Sequence, residues 1–536
     1  MIVPVKIDTT SLLTILSVIV AVWALITPTT RLRLRFCMTW LDWCIVGAIF
    51  VFSNYLVFAP TLIALGWYYS LGTWKWGLDS SSVVYLLLLS VATYLYFRLK
   101  SPTLARGKTK VFLELIESLN LTKKYDELAL LVEPQLKKLI SLVDKPPLLV
   151  QLIDKVYQPR IDRNSLIRGV IPRQHNSWRK NLYNRLQPLR NWLSNRDKAS
   201  DYAREVLLNI LTTPELTKHL ALAHPHLCLK FIEADNVIRT DFVDKFIYAL
   251  LDAPGSRIYV ELKNNQNTNR GNRLLIPETN CLIHFFFANA EYARKLALYR
   301  SIGEVLFWRL DEDSKLAENL NKPLGSYYEI KRFSCPISSG ITLFEIMVHE
   351  GIHQGLQDHL WLHYFAYFAD KILKQMEVQD NESINEWQTP FHYLLCRLFS
   401  IATDWAEQCQ YIRSVDIPQE TIESDNFDGH YISKEATKVL GAMLEHVIPS
   451  MKLSKSTKVA LLEIVVRCYI RIEENKILND VASSLLKNST MGDLNSTSAS
   501  YRRELQKIFN KMDTHLQGSA KKFEQHIEQA ISLKTN

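Results

Sequence analysis

Apolar residues are unevenly gathered along this chain. Up to about position 98 they run in blocks nearly free of charge, whereas beyond position 108 they recur at every third or fourth place among polar residues. The first block, SLLTILSVIVAVWALIT from Ser11 to Thr27, holds no charge. A second occupies 39–72, interrupted by Asp42 near its start and Pro60 in its middle. A third, VVYLLLLSVATYLY, runs from Val83 to Tyr96. A helix crossing a bilayer needs about 20 mostly apolar residues. The blocks therefore predict three spans, at about 11–28, 40–60 and 81–98. Trp40, Trp43, Trp67, Trp74 and Trp76 fall near the expected span ends, where an aromatic belt belongs.

After the blocks, the pattern changes to amphipathic helix. VFLELIESL, DELALLVEPQLKKLISLV and LLVQLIDKVY place apolar residues at helical spacing. Helices are expected again over 200–253, 281–318, 359–377, 388–413, 433–449 and 454–488. One stretch breaks the pattern. Residues 257–262, RIYVEL, alternate and are rich in strand formers, and LLI at 274–276 follows a turn-rich NNQNTNRGN. This predicts a small β-hairpin with a long loop. The polar KNSTMGDLNSTSAS reads as a linker before a last amphipathic helix over 499–533. The expected fold is mainly α: a three-helix transmembrane region at 1–100, a helical and basic connector at 101–200, a large helical domain at 201–488, and a polar linker with a C-terminal amphipathic helix at 489–536. No fixed-period repeat, phosphate-binding loop, dinucleotide fingerprint or G-x-S-x-G is present.

Charge orients the spans. Arg31, Arg33 and Arg35 follow the first block, and Arg98, Lys100, Arg106, Lys108 and Lys110 flank the end of the third. Basic loops stay on the cytoplasmic side, so the N-terminus is expected outside, with everything beyond the third span in the cytosol, as in a multi-pass protein of a bacterial inner membrane. None of the eight cysteines among the 536 residues forms a C-x-x-C pair, which agrees with a reducing compartment and argues against a disulfide framework or zinc ribbon. The net charge of +8 names no partner by itself. Residues 158–198 hold ten Arg and Lys against Asp162 and Asp197, with Trp178, Tyr183 and Trp192 interleaved. A solvated basic connector near the lipid headgroups accounts for this segment better than a nucleic-acid site does.

The candidate chemistry lies in VHEGIHQGLQDH, 348–359, where His349-Glu350-Gly351-Ile352-His353 fits H-E-x-x-H. Histidines four apart share one helical face and can hold one zinc ion, while the intervening Glu sits about 100° round the helix, where it can take a proton from metal-bound water. Over these 15 or so residues the chain resembles the zincin metallopeptidases. That resemblance implies zinc on His349 and His353, with Glu350 as catalytic base. The third ligand stays open between Glu407, on a later helix in TDWAEQ, and His359, at metzincin spacing but with glycine at 355 and leucine at 356. Glu377, Glu382, Glu386, Asp404 and His392 are further options. A zincin also lays its substrate along an edge strand, for which 257–262 is the candidate. A structural alternative has both histidines as polar core residues, with Glu345, one turn earlier, bridging His349. Glu350 and His353 would also make half of a di-iron bundle site, but the second E-x-x-H that such a site needs is missing. The sequence thus leads to a membrane-anchored zinc metallopeptidase acting on a cytosolic or membrane-proximal protein. Its rival is a non-catalytic membrane effector or scaffold, defence- or toxin-like, whose helical domain binds a partner.

Overall fold

The computed structural model describes residues 36–58, 62–63, 65–67, 80–100, 104–156, 177–196, 198–234, 240–265, 273–378, 388–422, 427–492 and 497–532. The expected first span, at 11–28, and the basic stretch 157–176 lie outside the described residues. The chain is mainly helical and divides into two compact units. One comprises 1–220 with 233–237, the other 221–232 with 238–536.

In the first unit, the Trp40–Val57 helix is long and apolar enough to cross a membrane. Its 18 residues extend about 27 Å, close to the hydrocarbon thickness of a bilayer. Trp40, Leu41, Trp43, Phe50 and Val51 stand exposed on it, as a lipid-facing surface would. The Ser80–Lys100 helix covers the expected third span, yet its apolar stretch is limited to Val83–Arg98, shorter than a span requires. Ser80, Ser81 and Ser82 end it on one side, and Arg98 and Lys100 on the other. The three-span expectation therefore reduces to one span-length apolar helix among the described residues. Leu56, Val83 and Val84 are buried together where the two helices pack. At the opposite end, Thr39 caps the Trp40–Val57 helix in a capping box with Asp42. Asp42 also accepts from the Tyr94 hydroxyl and pairs with Arg98 at 3.3 Å. The start of one helix thus lies beside the end of the other, and the pair is antiparallel. Of the following helices, Thr109–Leu121, Tyr125–Val132, Leu136–Asp144 and Ala199–Thr212 each bury an apolar face, and Gln135 accepts the buried Leu104 N–H at 2.8 Å. Within the basic segment, Ser177–Arg196 is helical and Arg190 pairs with Asp154 at 2.6 Å.

The second unit corrects the β-hairpin. Residues 257–262 belong to an α-helix, Arg257–Asn264, and no strand forms among the described residues. Tertiary packing decides against the alternation. Ile258, Tyr259 and Leu262 are buried on one helical face, Val260 is exposed, and Arg257 pairs with Glu261 one turn on at 2.7 Å. The buried Glu261 carboxylate also accepts the N–H groups of Leu282 at 2.8 Å and Ile283 at 3.0 Å, satisfying the free N-terminus of the Cys281–Phe287 helix. The last expected helix is three shorter ones, Ala499–Phe509, Thr514–Ser519 and Lys521–Ser532, and the polar linker begins one turn late because Asn479–Met491 is helical.

The helix that carries H-E-x-x-H, Pro336–His353, is the axis of this unit. All its residues except Thr342 and Glu345 are buried, the mark of a helix surrounded by others. Leu298–Glu312, Ala290–Lys295, Pro390–Gln408 and Tyr431–Val447 pack around it. Aromatic rings fill the space beside it: Phe344 meets Tyr364, Phe365 and Phe368 at 5.6–6.0 Å between centroids, and Phe365 meets Trp405 at 4.5 Å. Further along, Gly441 lets Tyr431–Val447 approach the backbone of Asn479–Met491 so closely that a Cβ there would strike the Asn488 carbonyl.

Candidate functional site

Proline at its first position starts the motif helix, and a glycine stops it. Gly355, at φ 66°, ends it in a Schellman turn: the Leu356 N–H reaches the Gly351 carbonyl and the Gly355 N–H reaches that of Ile352. The three motif residues sit in the last turns before this stop, all within the core.

His349 and His353 do face each other, with ring centroids 4.8 Å apart. Both are almost wholly buried, at 2% and 1% exposure. Neither ring nitrogen of His353 has a hydrogen-bond partner. Burial first, and then the Arg273 charge, hold its pKa below the ordinary value, with Glu350, Gln408 and Asp416 acting the other way. The downward shift favours the neutral imidazole. Each imidazole could serve as one ligand to an ion. Among the described residues, no third His, Cys, Asp or Glu atom converges with them.

Glu350 is otherwise engaged. Arg273 grips its carboxylate through two nitrogens, at 2.7 and 3.2 Å, and Gln354 donates to the same carboxylate at 2.9 Å. Arg273 also pairs with Asp416 at 3.2 Å, and Asp416 with Arg413 at 2.8 Å. Gln354 extends the network: its amide donates to the Ala288 carbonyl and accepts the Ala290 N–H, both at 3.0 Å, at the start of the Ala290–Lys295 helix. Through Arg273 and Gln354, three other chain segments, at 273, 288–290 and 413–416, are tied to one carboxylate of the motif helix. Glu345 pairs with Arg397 at 2.9 Å.

Neither expected third ligand joins the pair. Glu407 lies on the predicted helix, here Pro390–Gln408, but bonds Arg471. The chain does turn at Gly355, yet His359 is half-exposed, accepts the Trp361 N–H at 3.0 Å and stands edge-on to the Trp361 ring. Asp404 is bonded by Gln408 at 2.7 Å, and His392 by Thr389 at 2.9 Å. Glu377 is exposed, and Glu382 and Glu386 lie outside the described residues. Without a strand at 257–262, the edge expected to hold a peptide is also missing. Arg273, which sequence reading passed over, is central here. It falls in a turn-rich stretch 77 residues before Glu350, and no local pattern links the two. Compared with known protein families, curated proteins and solved structures, the chain matches none.

Proposed function

We propose that this chain is a membrane-anchored, non-catalytic helical scaffold, in which the H-E-x-x-H helix is a buried strut. The observation that carries this reading is the Glu350 carboxylate, 3% exposed and held by Arg273 and Gln354. A general base must reach a water molecule in an open site, and this carboxylate is spent on holding helices together. On this reading the Trp40–Val57 helix anchors the chain in a membrane, and the helical domain displays a cytosolic surface to a protein partner. The experiment is elemental analysis of the purified full chain beside a His349→Ala, His353→Ala double variant. Neither should carry stoichiometric zinc, and the double variant should be less stable.

The zinc metallopeptidase remains the second reading, favoured by the unpartnered His353 imidazole close to that of His349. Zinc would then rest on these two residues, polarise a water molecule and require Glu350 to leave Arg273. Stoichiometric zinc in the wild type, lost with the histidines, together with proteolysis abolished in Glu350→Gln, would put this reading in place of the first.

A further inference from the structure

We propose that a second site, beside the first half of the motif helix, binds a small organic carboxylate. The cavity measures about 260 Å³ and lies between the end of the Arg257–Asn264 helix, the Lys331–Ser334 turn, Pro336–His353 and Pro390–Gln408. Leu262, Leu274, Phe333 and Ile346 give it an apolar lining.

Two polar side chains on its wall carry polar atoms without partners, Arg332 at one nitrogen and Asn265 at both amide atoms. Arg332 donates to the Tyr393 hydroxyl at 3.1 Å, and its guanidinium lies 4.5 Å from the centre of the Phe333 ring. Its Nε is buried without an acceptor. No carboxylate pairs with it among the described residues. Asn265 is 6% exposed, and both its amide oxygen and its amide nitrogen lack partners. A buried polar group left this way is costly, so such groups in a cavity mark where a ligand's own polar atoms fit. The other guanidinium, Arg397, is committed to Ser338 at 3.0 Å, Thr342 at 2.6 Å and Glu345 at 2.9 Å.

These features define the ligand. The one uncompensated charge calls for one anionic group, and a guanidinium fork matches a carboxylate. Glu345 on the wall disfavours a dianion such as phosphate. Asn265 offers a donor and an acceptor to a hydroxyl, keto or amide group on the same molecule, and the apolar wall takes a short carbon body. The cavity is smaller than the roughly 300–1,000 Å³ of drug-sized sites, so the acid is compact. The site does not depend on whether the motif holds metal.

The test is calorimetric titration of the purified full chain with lactate, pyruvate, benzoate and inorganic phosphate. At least one of the three carboxylates should bind, with affinity reduced tenfold or more in Arg332→Gln and in Asn265→Leu, and phosphate should not bind. Leu274→Trp, which leaves both polar groups in place and fills the cavity, should abolish binding while the helical circular dichroism is unchanged. Failure of all three carboxylates to bind, binding retained in Leu274→Trp, or phosphate binding that depends on Arg332 would overturn the proposal.

Discussion

Replacing Glu350 by Gln separates a strut from a catalyst, because a strut predicts a large loss of stability and a catalytic base predicts almost none. The carboxylate is 3% exposed and the Arg273 side chain 23%. Removing one partner of a buried ion pair costs about 3–5 kcal/mol, chiefly because the other charge is left stranded. In Glu350→Gln, Arg273 retains Asp416 at 3.2 Å, so the loss belongs at the low end, about 3 kcal/mol. In Arg273→Met, the deeper carboxylate keeps only Gln354, and the loss should reach about 4–5 kcal/mol. The double variant strands neither charge, and the two losses should fall short of adding by about 2–3 kcal/mol. Denaturant unfolding of the full chain in detergent, followed by helical circular dichroism, measures all four corners of the cycle. A Glu350→Gln protein within about 0.5 kcal/mol of wild type would refute the strut, since a catalytic base can be neutralised without cost to the fold.

Burial pushes the Asp404 pKa up to about 6 from 3.8, aided by Glu345 and Glu407 and opposed by Gln408. A raised folded value means stability that is present at low pH and lost as pH rises through 6, so Asp404→Asn should stabilise by up to about 3 kcal/mol at pH 8 and by almost nothing at pH 4, read from melting curves at the two pH values. His392 behaves in the opposite sense. Burial lowers it to about 4 from 6.5, so its contribution is present above pH 6.5 and is lost as pH falls toward 4 and below; His392→Gln should flatten that part of the stability profile. Gly441→Ala should cost about 1–3 kcal/mol, since the added methyl meets the Asn488 carbonyl rather than a movable side chain; a melt unchanged from wild type would show that the two helices can part freely. Reporter fusions at the C-terminus should be active only on the cytosolic side.

The helical character of the chain was legible because its amphipathic spacing is local, and so was the motif helix, whose apolar flanks announce burial. The short strand at 257–262 was misread for a physical reason. Alternation over six residues is compatible with one helical face when Ile258, Tyr259 and Leu262 are the residues that pack, and the Arg257–Glu261 pair supports the helix. The role of Glu350 was hidden for another. Spacing within a helix reveals which residues share a face, as His349 and His353 do. It is silent about what arrives from elsewhere, and Arg273, Gln354 and Asp416 turn a residue placed like a base into an anchor. The third span of the sequence reading failed by length, because serines and basic residues cut into it from both ends.

The clasp of Asp42 with Tyr94 and Arg98 joins two helices at the rim of the apolar hairpin. Its consequence reaches beyond this one molecule. A descendant chain that loses Arg98 keeps a buried acid without its cation, and one that loses Asp42 keeps a stranded base, so either first step is penalised while both together cost less. The two positions, 56 residues apart, are thereby bound to vary as one, and a lineage that abandons the clasp must do so in a paired exchange or remake the end of the hairpin altogether.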